Sequence, residues 1–146
     1  LSDSRVDPSD MNNQAIRLAS KNGHYEIVEL LLSDSRVDPS NLYNQAIRFA
    51  SENGHSEVAE LLLSDPRVDP SDDNNDAIIS ASRNGHSEVV KLLLSDSRIL
   101  NKYLYTDINT INKKCQDILI KFHKNLSNKN FRVKNTNKSN WPSFLL

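Results

Sequence analysis

Over the first hundred residues the apolar side chains never run more than three or four together, and their spacing changes within each short segment. Ala15, Ile16 and Ala19 lie on one face of a helix that Asn13 is placed to cap and Gly23 to stop, because glycine readily takes the left-handed turn after a last helical turn. A second helix is predicted from near His24 and Glu26, where an acidic residue favours a helix start, and Ile27, Leu30 and Leu31 at helical spacing would be its core face. The following run, Ser33-Asp34-Ser35-Arg36-Val37-Asp38-Pro39-Ser40, is rich in turn formers, and Pro39 forbids a continued helix. Each segment therefore reads as two short helices and a loop.

That segment recurs. Gly23, Gly54 and Gly85 are 31 residues apart, and residues 13–36 match 44–67 at 18 of 24 positions. A fixed period of this size marks a solenoid, in which each unit buries its apolar face only against its neighbours. Leu1 falls at the place of Leu32, Leu63 and Leu94, so the numbering starts inside a unit and a preceding unit is expected. The pattern holds to Ile99 and then fails, which divides the chain into repeats at 1–99, a capping-helix region at 100–126 and an Asn/Lys-rich tail at 127–146. In the capping region Ile108, Ile111, Cys115, Ile118, Leu119, Phe122 and Leu126 recur at helical spacing behind Thr106, a suitable cap. This stripe is expected to cover Leu92 and Leu93 of the last unit.

The run Gly23-His24-x-Glu26-Ile27-Val28-Glu29-Leu30-Leu31-Leu32, repeated from Gly54 and Gly85, resembles the second half of the ankyrin repeat. Where that family has Thr-Pro-Leu-His-x-Ala, this chain has Gln14-Ala15-Ile16-Arg17-Leu18-Ala19, and its period is 31 instead of 33. We place the two missing residues in the connecting loop. The short form, with Asp-x-Arg-Val-Asp-Pro in its loop, is similar to arrays in giant DNA viruses and protists. The resemblance implies an all-α, ankyrin-like helical repeat solenoid with a C-terminal capping helix and tail. It also implies a concave face on which partners are held.

Composition narrows the chemistry further. A net charge of −1 gives no overall pull toward nucleic acid, and no apolar run approaches the length of a bilayer span. The single Cys115 excludes an intramolecular disulfide and fits a reducing, intracellular compartment. With only three glycines, all at repeat positions, neither a phosphate loop nor a nucleophile elbow can be drawn. His24, His55 and His86 are expected about 8–10 Å apart in successive units, too far to share one metal ion, and each is expected to order the turn between its own two helices. Cys115 and His123 lie two helical turns apart and lack the further ligands that zinc requires. We therefore expect no enzyme activity and no cofactor.

Charge is divided unevenly: residues 1–99 sum to −8 and residues 100–146 to +7. The lysines of the tail alternate with Asn and Ser and form no dense basic block, which argues against nucleic acid as the partner. Positions that vary between units are free of the stacking requirement. They include Met11/Leu42/Asp73, Lys21/Glu52/Arg83 and, beside the first set, Tyr43. Aromatic and apolar residues at wet positions suit interface anchors. Together with Trp141 and Phe144 in the tail, these residues are the expected contacts with a protein partner. The alternative is a structural or virion-associated assembly protein that self-associates through its tail. A weaker one is a ubiquitin-ligase substrate adaptor with an F-box-like segment at 115–126.

Overall fold

The computed structural model describes residues 6–100 and 111–128, and every regular element among them is helical. Three helix pairs follow one another: α1 (Asp10–Lys21) with α2 (Tyr25–Leu32), α3 (Asn41–Asn53) with α4 (Ser56–Ser64), and α5 (Asp72–Asn84) with α6 (Ser87–Ser95). A short α7 (Ser97–Leu100) and a longer α8 (Lys113–Asn128) follow. First helices pack on first helices and second on second, giving the expected all-α repeat stack. Within each pair the turn is made by a glycine in the left-handed region, at φ 73° for Gly23, 77° for Gly54 and 79° for Gly85.

The core repeats with the chain. Ile16, Ile47 and Ile78 are fully buried between layers, accompanied by Ala19, Ala50 and Ala81. From the second helices Leu31, Leu62 and Leu93 fill the same space, each stabilising the stack by about 1.5–3 kcal/mol. Ile27 and Leu30, expected in the core, are instead 50% and 54% exposed. Their equivalents Val58 and Leu61 pack against the unit before them, and among the described residues no unit stands in front of α2. Val28 is fully buried, as are its equivalents Ala59 and Val90.

The loops bind unit to unit. Asp65 grips Arg67 through two guanidinium nitrogens, and the free Nη1 donates to the carbonyl of Val37, one unit earlier, at 2.8 Å. Arg36 does the same to Val6 and Arg98 to Val68. The Asp-x-Arg of the repeat is thus a clamp between consecutive loops. The charge-assisted bond to Arg67 holds the Asp65 carboxyl below the usual carboxylate range, and Arg36 draws Asp34 down to about 2.

Two smaller expectations need correction. Asn13 does not cap its own helix: its backbone is left-handed, and its Oδ1 accepts from the N–H of Asp38 in the next unit at 2.8 Å. Asn44 accepts from Asp69 in the same way. Nor do the rings of His55 and His86 bond within their own turns. The Nε2 of His55 lies 3.0 Å from the carbonyl of Lys21, and that of His86 lies 3.0 Å from the carbonyl of Glu52, so each ring closes the helix end of the unit before it.

At the far end Asn112 takes over that role. Its side chain lies over Gly85, where a Cβ would come within 2.8 Å of it, and its N–H donates to Ser82. From there α8 packs on α6 with Ile111, Cys115 and Leu119 buried and with Ile118 and Phe122 partly buried. Thr106 and Ile108 lie outside the described residues, and the described helix starts only at Lys113.

Candidate binding surface

The first helices present one outward row in each unit. The row consists of Gln14, Arg17, Leu18 and Lys21 on α1, Gln45, Arg48, Phe49 and Glu52 on α3, and Asp76, Ile79, Ser80 and Arg83 on α5, and none of these side chains is buried. Their spacing of three, four and seven keeps them on one helical face. Polar members tie the row together sideways. Arg17 donates to Gln45 at 2.5 Å, and Arg48 pairs with Asp76 and Asp73, both at 2.8 Å. The ammonium of Lys21 sits 5.3 Å from the centre of the Phe49 ring, within range of a cation–π contact. The contact positions expected from the sequence lie at the ends of this face and do not include its middle. The signal for the middle was present, because positions 17/48/79 and 18/49/80 also differ between units.

The expected contact residues fall at its two edges. Lys21, Glu52 and Arg83 are exposed where the first helices end, beside the histidine closures. Met11, Leu42, Tyr43 and Asp73 are exposed at the opposite edge, where the first helices begin, with Met11 73% and Tyr43 71% accessible. Trp141 and Phe144 lie outside the described residues.

The second edge has an unusual backbone. Three successive residues in every unit are left-handed: Met11 to Asn13, Leu42 to Asn44 and Asp73 to Asn75. Asn and Asp tolerate this region, whereas a Leu or Tyr there costs about 1–2 kcal/mol. The buried Asn that ends each triplet enforces the turn in the first two units through its bond to the next loop. The equivalent Oδ1 of Asn75 is buried without a hydrogen-bond partner among the described residues. Leu42 and Tyr43 are consequently held out from the stack on a stiff, strained turn.

Other chemistry is sparse in the described part. No group of three His, Cys, Asp or Glu among the described residues is placed to hold a metal ion. Cys115 is buried, and burial pushes its thiol pKa up, which disfavours the reactive thiolate. Among the described residues no helix is long and apolar enough to cross a membrane.

A stack of helix pairs with glycine turns, inter-unit loop clamps and an open face of first helices defines a helical repeat array. The family model for ankyrin repeats in three copies matches residues 16–103, more than half of the chain, and the chain belongs to the ankyrin-repeat family. No curated protein and no solved structure matches it. Repeats of this family are generally protein–protein interaction modules.

Proposed function

We propose that this chain holds a protein partner on the face of its first helices, anchored at the edge formed by Met11, Leu42 and Tyr43. The observation that carries the reading is Tyr43, which is 71% exposed and left-handed, at a position where the other two units have Asn. Strain of this kind persists where the surrounding structure enforces it and where the displayed side chain has a use. Asp73, Lys21, Glu52 and Arg83 supply charge around that anchor and set which partner is accepted. The function proposed is therefore binding through an extended face of side chains. The test is capture of the native partner by the parent and by Tyr43→Ala. The reading requires a large loss of capture with an unchanged melting temperature.

A second reading, assembly with further copies or with a virus particle through the tail, draws on the sequence of that tail, which ends in the apolar residues Trp141, Phe144, Leu145 and Leu146. Light scattering separates the two, since assembly requires mass that grows with concentration. The adaptor reading gains no such support, because Cys115 and Leu119 are buried against the repeats. Either supported reading goes with an intracellular or particle-bound protein of the viral or protist repeat type.

A further inference from the structure

The strained edge changes character from one end of the stack to the other. Unit one shows Met11, unit two shows Leu42 and Tyr43, and unit three shows Asp72 and Asp73, with Asp76 beside them. In that third unit Asp73 and Asp76 share the single guanidinium of Arg48, and Asp72 accepts from the neutral side-chain amide of Asn44, so the three carboxylates leave the end of the edge negative. Residues 129–146 have the complementary order. Lys129, Arg132, Lys134 and Lys138 come first with no acid among them, and Trp141, Phe144, Leu145 and Leu146 follow.

Topology delivers the chain to the matching place. Both α6 and α8 start at the Gly85 turn, and the side chains from Ile111 to Phe122 pack along the stack, so α8 carries the chain from that turn toward the loop end. Its 16 residues cover about 24 Å. The loop end is where Asp72 and Asp73 begin α5. A chain leaving there meets the acidic unit first and the apolar units second. With units about 10 Å apart, the run from unit three to unit one is about 20 Å, well within the roughly 60 Å that an extended segment of this length can span.

We propose that residues 129–146 fold back along this edge within the same molecule, with the basic stretch on Asp72 and Asp73 and with Trp141 and Phe144 against Tyr43, Leu42 and Met11. The tail then occupies the surface that a protein partner requires and acts as an internal competitor. This rests on reading that edge as the binding surface. A partner must displace the tail, so its apparent affinity is lowered by the fraction of molecules in which the edge is covered.

Trp141 is the only tryptophan, so its fluorescence reports the tail directly in the full chain. Acrylamide quenching of the full chain should be severalfold weaker than that of a synthetic peptide of residues 129–146. Protection should be lost in Leu42→Ala/Tyr43→Ala and reduced in Lys134→Gln/Lys138→Gln, variants whose circular dichroism melts show an intact stack. It should also be independent of dilution. Quenching equal to that of the free peptide, protection that survives the edge substitutions, or protection that fades on dilution and so belongs to a second copy, would each overturn the proposal. None of these outcomes bears on partner capture by Tyr43, which is measured separately.

Discussion

Replacing Gly54 by Ala tests the contact between units most sharply, because the structure supplies both halves of its cost. The backbone at φ 77° is one an L-residue enters at about 1–2 kcal/mol. An added Cβ would also stand 2.4 Å from Nδ1 and 2.7 Å from Cε1 of His86, so that ring has to move. Moving it gives up the bond to the carbonyl of Glu52, worth about 0.5–1.5 kcal/mol. Alanine recovers about 0.4–1 kcal/mol by narrowing the unfolded ensemble, which leaves a net loss of roughly 1–2.5 kcal/mol. Urea unfolding followed by helical circular dichroism measures that loss in the parent and in His86→Ala. In the His86→Ala background only the backbone strain remains, so the cost should fall by about 1 kcal/mol, a coupling within reach of a double-mutant cycle. An equal cost in both backgrounds would show that the ring does not close the preceding unit.

Leu62→Ala should lose about 2–5 kcal/mol, because Leu62 is fully buried, whereas Leu30→Ala, at a half-exposed position of α2, should change stability by only about 0.5; equal losses in urea titrations would contradict the burial assigned to the two side chains. Tyr43→Asn, which installs the residue of Asn12 and Asn74 on the left-handed turn, should raise the melting temperature by about 2–4 °C while weakening partner capture, and a lower melting temperature would refute the strain argument. Acid should weaken the loop clamps. The folded-state pKa of Asp65 is depressed below its ordinary value of 3.8 by Arg67, so its stabilisation is present above that value and lost as pH falls through the folded one. The stability gap between the parent and Asp65→Asn should therefore shrink between about pH 5 and pH 2, and a constant gap would remove the clamp from the account.

The repeat, its paired helices and the glycine turns were legible because spacing alone carries them: three glycines at one period and leucine triplets 31 residues apart admit little else. What spacing does not carry is the direction of stacking. Ile27 and Val58 occupy the same place in their units, yet one is half exposed and the other buried, since burial depends on which side a neighbour stands. The same ignorance assigned His55 to its own turn when it closes the unit before, and Asn13 to its own helix when it binds the unit after. The edge residues Met11, Leu42, Tyr43 and Asp73 were identifiable as the variable positions of a regular array. Their left-handed backbone was not, because Asn at the third position is as good a helix cap as it is a left-handed residue.

The central claim, that a protein partner is held on the first-helix face, is tested most directly by site-specific photo-crosslinking in cells that natively make the chain. A benzophenone amino acid is placed at Tyr43 on the proposed edge, at Arg83 on the far edge of the same face, and at Glu57 on the outer side of the second helices, all three exposed. The account predicts one discrete crosslinked protein shared by positions 43 and 83 and absent from position 57. A product formed equally from all three positions, or from position 57 alone, would contradict it.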